Sequence, residues 1–220
     1  MPIIDSTYFK NTNIVANVSE PGVSGAINEE LNAQILKGER DVLSYAFGWE
    51  MWEDFKQYIS NGIALNTPQK YLNVINGKQY EIDGKKCFWQ GLIEPQTKES
   101  LLADYVYCTY RQNNDTITTA SGDKQIDTKV GDSISNIPKV TRVWNQFIEK
   151  LHGGFRSNPD GFTIEGNPYW LINGARDYYG VYRKNGPVSL VQFLFDNKAD
   201  YPLLDQNFRR FGEFKNELGI

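Results

Sequence analysis

The chain has 220 residues, of which 40% are apolar and 14% aromatic, so it is long enough for one domain with a sizeable core and too apolar for wholesale disorder. Its formal net charge is −4, unevenly spread: residues 1–138 hold 12 basic and 18 acidic side chains, and residues 139–220 hold 11 and 9. Neither part has the strong basic excess of a nucleic-acid footprint.

The start, "MPIIDSTYFKNTN", lacks the basic region and long apolar run of a signal peptide, which reads as a protein made and kept in a cytoplasm. The first predicted helix is capped by Asn28, with Glu29 and Glu30 favouring its positive end. Leu31, Ile35 and Leu36 form its stripe, and Gly38 is expected to close it in a left-handed conformation. A second helix turns Val42, Leu43, Ala46 and Phe47 inward. Gly48 then breaks the run, and a third piece carries Trp49, Trp52, Phe55, Tyr58 and Ile59 at helical spacing.

The period changes in "KYLNVINGKQYEIDGKKCFW". Asn76-Gly77 and Asp83-Gly84 suit two-residue turns with positive φ, so short strands near 71–75, 78–82 and 85–89 are expected to form a meander, the β insert of 71–90. Pro95 is expected at the first position of the next helix, where Leu101, Leu102, Tyr105, Val106 and Thr109 share a face. The polar, Gly-bearing segment 113–133 reads as a long loop or an exposed hairpin arm.

The cleanest helix spans 138–151, with Val140, Val143, Trp144, Phe147, Ile148 and Leu151 on one stripe and Gly153-Gly154 ending it. From there to about Asn185 the chain is rich in Gly, Asn, Pro and Tyr and reads as an irregular insertion. Pro187 is expected to start a further helix, and the tail 201–220 is short, aromatic and mildly basic. The reading is therefore mainly α: a helical core over 1–152 with a β insert and an arm, and an irregular C-terminal extension over 153–220.

Reactive constellations are scarce. No nucleophile elbow, Walker loop, dinucleotide fingerprint or zinc-protease helix occurs, and no metal-site spacing links the Cys and His residues, so no enzyme, cofactor or metal is expected. His152 reads as a cation at a helix C-terminus. Cys87 and Cys108 read as two reduced core thiols rather than a pair. Glu50 and Asp54, four apart on one helix face, could in principle form a glycosidase pair, but a solvated face is the simpler account. Asp123, Asp127 and Asp132 lack the spacing of a calcium loop. Tyr169, Trp170, Tyr178, Tyr179 and Tyr182 interleave with Arg176, Arg183 and Lys184; such residues either stack bases or sugars or serve as protein-interface anchors. No apolar run approaches the roughly 20 residues of a membrane span.

The order "ERDVLSYAFGWEMWEDF", "FWQGL", "SLLADYVYCTYRQ", "TITTASGDKQ", "PKVTRVWNQFIEKL", "SLVQFLFDNKADYP" and "ELGI" resembles the head–tail connector (adaptor or ring) proteins of tailed bacteriophages, in particular those of Bacteroidetes and crAss-like phages. The resemblance covers about 25–151 and 187–220. It implies a small helical bundle with a protruding arm, in twelve copies forming a ring below the portal protein in the virion neck. Such a homo-oligomeric ring extends the channel through which genomic DNA passes without sequence preference, and it docks further neck and tail components. On that reading the arm, including Thr116, Thr118 and Lys124, reaches a neighbouring subunit or lines the channel. Tyr201, Phe208, Phe211 and Phe214 anchor a docking tail, with Arg209 and Arg210 facing acidic partners. Tyr178, Tyr179 and Arg183 are further interface candidates. The rival expectation is a carbohydrate- or nucleic-acid-binding module using 169–184.

Overall fold

The computed structural model describes residues 2–15, 25–59, 66–82, 84–114, 116–119, 122–125, 137–152 and 186–205. They are mainly helical, with small strand units between the helices. The helices are α1 (Gly25–Phe47), α2 (Trp49–Ile59), α3 (Gln69–Asn76), α4 (Leu101–Asn114), α5 (Ile137–His152) and α6 (Leu190–Asp196). Strands β1 (Lys78–Ile82), β2 (Lys85–Trp89) and β7 (Gly186–Val188) form one sheet in the order β1-β2-β7. Two antiparallel pairs stand apart from it: β3 (Ile93–Glu94) with β4 (Glu99–Ser100), and β5 (Thr116–Thr119) with β6 (Gly122–Gln125).

The two expected N-terminal helices are one. α1 starts at Gly25, so Asn28 lies inside it rather than capping it, and it passes straight through Gly38. That glycine is required by packing instead of by helix termination. A Cβ there would lie 2.5 Å from the Val106 Cγ2, so its absence lets α1 and α4 approach closely. The expected break at Gly48 is present, with φ at +79°. Leu31, Ile35, Val42, Leu43, Ala46 and Phe47 are buried, whereas Leu36 is exposed.

Residues 71–75 are helical, not a strand: Tyr71, Val74 and Ile75 form the buried face of α3. Their spacing of three and one fits a helix as well as a short strand, and Pro68 before the helix supplies the fixed φ that starts it. Strands β1 and β2 fall where alternation places them, paired antiparallel from Lys78↔Trp89 to Ile82↔Lys85. Gly77 and Gly91, at φ +89° and +102°, let two chain segments cross almost backbone to backbone. A Cβ on Gly77 would sit 2.5 Å from the Trp89 carbonyl oxygen, and one on Gly91 2.6 Å from that of Ile75. At this crossing the Leu92 N–H and the Trp89 indole N–H both donate to the Val74 carbonyl, at 3.1 and 2.9 Å.

Pro95 does not start a helix. It begins the tight turn between β3 and β4, closed by the Lys98 N–H donating to the Glu94 carbonyl at 2.8 Å. α4 begins only at Leu101, after Ser100, whose hydroxyl accepts from the Leu102 N–H at 3.1 Å. Pro187 likewise lies in β7, pairing in parallel with β2 opposite Phe88. α6 is capped by Ser189, whose side chain accepts from the Gln192 N–H. A proline fits the edge of a sheet because it has no N–H to donate.

One core joins these elements. Val140, Val143, Phe147 and Leu151 of α5 pack with Leu102, Val106 and Tyr107 of α4, and Ile4, Tyr8, Phe9 and Val15 of the N-terminal segment belong to the same cluster. So do Leu190, Phe193, Leu194, Tyr201 and Leu204, which join 186–205 to the body. Each such fully buried side chain contributes about 1.5–3 kcal/mol relative to exposure.

Candidate assembly surfaces

The expected arm is a hairpin. β5 pairs with β6 in the register Thr116↔Gln125, Ile117↔Lys124, Thr118↔Asp123 and Thr119↔Gly122. Neither strand joins another sheet among the described residues. The hairpin follows directly on α4, whose buried residues anchor its base to the core. Isolated two-stranded hairpins are marginally stable in water, so this one gains from any further strand or surface laid against it. Thr116, Thr118 and Lys124 thus lie on one hairpin, with Lys124 opposite Ile117 rather than opposite either threonine.

A second surface lies at the corner between α1 and α2. The Phe47 carbonyl accepts from the Asp205 N–H at 2.9 Å, and a Cβ on Gly48 would lie 2.3 Å from the Asp205 Cβ. The chain therefore leaves for residues 206–220 from this corner. Trp49 is 67% exposed there, and Leu203 is also exposed. The sequence reading grouped Trp49 with Trp52, Phe55, Tyr58 and Ile59 at helical spacing, but it stands six residues from Phe55, roughly 120° around the helix from that buried ring. The signal that could have found it is this angular offset from Met51, Trp52, Phe55 and Ile59, all of which are buried.

Tyr201 is corrected from docking anchor to core residue. It is buried, its hydroxyl donates to the Lys70 carbonyl at 2.8 Å, and its ring meets Phe193 edge to face. Burial, with the nearby Asp200 charge, raises its pKa. Phe208, Arg209, Arg210, Phe211 and Phe214 lie outside the described residues, as do Tyr178, Tyr179, Arg183 and the rest of 169–184.

The ionisable groups inside the body act as structural ties. Asp104, 4% exposed, accepts from the Asn13 side-chain amide at 2.6 Å and the Lys150 ammonium at 2.7 Å, joining the N-terminal segment, α4 and α5. Asp54 accepts from the Tyr71 hydroxyl and lies 3.8 Å from the Lys70 ammonium. Burial and that bond push the Tyr71 hydroxyl far up, and Glu50 on the same face is exposed. Cys87 and Cys108 are both buried thiols and are not joined in a disulfide. Burial, reinforced by Asp104, pushes the Cys108 thiol far up, and its S–H donates to the Val140 carbonyl at 3.6 Å. A thiol held protonated in this way is a poor nucleophile at neutral pH.

Sequence reasoning missed Glu39 altogether. It is 3% exposed on α1 and accepts from the Ile3 and Ile4 N–H groups at 2.7 and 3.0 Å. Burial raises its pKa to about 7 against the pull of those two bonds. Its spacing from Leu31, Ile35, Val42 and Phe47 places it on the buried side of α1, and that was the available signal.

Among the described residues no group of three or more His, Cys, Asp and Glu side chains could hold a metal ion, and no helix is long and apolar enough to cross a membrane. No protein-family description matches the sequence, and no curated protein or solved structure is similar to it.

Proposed function

We propose that this chain is a structural virion protein: a subunit of a head–tail adaptor ring that sits below the portal of a tailed phage, extends the DNA channel and docks the next neck component. The observation that carries the reading is the β5–β6 hairpin, which grows from a core helix and shares its strands with no other sheet among the described residues. A heterologous contact, hairpin to neighbour, closes into a ring when the rotation between copies divides a full turn. The ordered sequence resemblance supports the same reading. The exposed Trp49 at the corner from which 206–220 departs supplies an aromatic anchor for a docking contact.

The test is assembly. The protein mixed with its portal is expected to form a large complex by mass measurement and a ring by electron microscopy. A chain that stays strictly monomeric with the portal present would sink the reading. Replacing 116–125 by a short Gly-Ser linker is expected to leave the helical circular dichroism unchanged and to abolish the ring. Truncation after Asp205, which spares the buried Tyr201 and Leu204, is expected to leave the body folded and to weaken docking. Normal assembly by both variants would remove the hairpin and the tail from the interface.

A further inference from the structure

Residues 2–15 cross the outside of the helical body with no strand or α-helix of their own, yet they bury Ile4, Tyr8, Phe9 and Val15 in the common core. They are fixed at two polar points. Near the start, the Ile3 and Ile4 N–H groups donate to one oxygen of Glu39 on α1. Near the end, the Asn13 side-chain amide donates to Asp104 on α4, which is also paired with Lys150 on α5. Between them, the Lys98 ammonium lies over the Tyr8 ring, 4.8 Å from its centroid.

The two points differ in kind. Asp104 has a cation beside it, so its charge is compensated within the body. Glu39 has two backbone dipoles and, among the described residues, no side-chain partner. The charged and titratable groups on the elements packed around it are engaged elsewhere or are not bonded to it. On the N-terminal segment, Asp5 accepts from Thr7, and Lys10 is exposed. On α1, Arg40 pairs with Asp41, and Lys37 is exposed. On α2, Lys56 pairs with Glu53, Asp54 takes the Tyr71 hydroxyl, and Glu50 is exposed. On α4, Tyr105 packs at a tilt against Trp144 and Phe147, and its own pKa is raised by burial and Asp41; Arg111 is half-buried nearer the far end of that helix. The positive charge of the amino terminus pulls the Glu39 pKa down, but burial outweighs it.

We propose that residues 2–15 form a pH-gated strap, latched where Glu39 holds the Ile3 and Ile4 amides and hinged where Asp104 holds Asn13, which loosens as pH rises and uncovers the part of the core that Ile4, Tyr8 and Phe9 cover. The neutral carboxyl keeps its acceptor oxygen for both N–H groups without the cost of a buried charge. Ionisation restores that cost in the docked state only, because a released strap leaves Glu39 open to water. A group whose pKa is raised on docking stabilises the docked state below its free value and loses that stabilisation as pH rises through the docked value. The window therefore runs from about 4.5 to about 7. The device stands independently of the ring reading.

The test is hydrogen–deuterium exchange of the segment 2–15 in the whole protein, corrected for the pH dependence of intrinsic exchange. Docking in the native protein is expected to be about thirtyfold weaker at pH 8 than at pH 5.5, the ratio for a carboxyl that titrates near 7 when docked and near 4.5 when free. Glu39→Gln, which keeps the acceptor and cannot ionise, is expected to hold protection constant between the two pH values. A native strap whose protection does not change, or a Glu39→Gln strap that loosens as the native one does, would overturn the proposal. Carbon-13 carboxyl NMR of the unmutated protein gives an independent measure: a Glu39 midpoint near 7 supports the latch, and one in the ordinary glutamate range refutes it.

Discussion

Residues 2–15 and residues 186–205 close the same core from two directions, by different physics. The first segment has no regular secondary structure beyond two short 3-10 turns, and its placement depends on the buried carboxyl groups of Glu39 and Asp104. The second adds strand β7 to the sheet and helix α6 to the core, centred on Phe193. That ring stacks on Trp89 at 6.1 Å and 16°, and meets Tyr80 and Tyr201 edge to face. At its C-terminal end α6 is tied to β1 by the Tyr80 hydroxyl, which donates to Asp196 at 2.6 Å, and by Lys78, which donates to Asn197 at 3.0 Å. Dispersion and area burial respond little to salt or pH, whereas a buried charge responds to both its partner and its protonation. One closure is therefore built to be permanent, and the other to be conditional.

The sharpest way to break the comparison is to remove the aromatic centre. Phe193→Ala deletes a fully buried ring that touches three others, and a loss of about 4 kcal/mol is expected. Urea unfolding followed by tryptophan fluorescence measures it, with Trp89 as the local reporter. A loss below about 1 kcal/mol would mean that 186–205 is peripheral rather than part of the body.

The polar closure is tested at its hinge. Asp104→Ala leaves the buried Asn13 amide and the partly exposed Lys150 ammonium without their acceptor. The expected loss is about 2–3 kcal/mol, at the lower end for a broken buried pair because water reaches Lys150. The N-terminal segment should then exchange faster than 186–205. Equal changes in the two segments would show that Asp104 supports the whole bundle and not the strap.

This division was only half visible in the sequence. Helices α2, α4 and α5, strands β1 and β2, and the hairpin of 116–125 follow from periodicity and turn residues. The burial of Phe47, Phe55, Val106 and Phe147 follows in the same way. What failed was the reading of glycines and prolines as punctuation. Gly38 marks a helix–helix contact, while Pro95 and Pro187 lie in a turn and an edge strand. A local rule cannot tell a residue that ends an element from one that makes room for a distant neighbour, and the neighbours here, Val106 and Phe88, are far away in the chain. The same limit hid the strap. Ile3 and Ile4 form no periodic run, and Glu39 looks like any surface glutamate until α1 is seen to continue past Gly38. It also misplaced Tyr201, whose aromatic ring suits an interface as well as a core.

The smallest expected effect separates the two forces inside the C-terminal closure itself. Ser189 caps α6 through its side chain, and the helix is only two turns long. Such a helix is unstable alone, so its fold must come from packing, with capping as an increment. Ser189→Ala is expected to cost about 1 kcal/mol, read as a shift in the urea midpoint with unchanged slope. Combined with Phe193→Ala, the two losses should not add. Once the ring is gone, the helix no longer docks, and its cap has nothing left to stabilise. Strict additivity would instead mean that α6 persists without its core contact, and that local capping carries more of the closure than the four-ring cluster does.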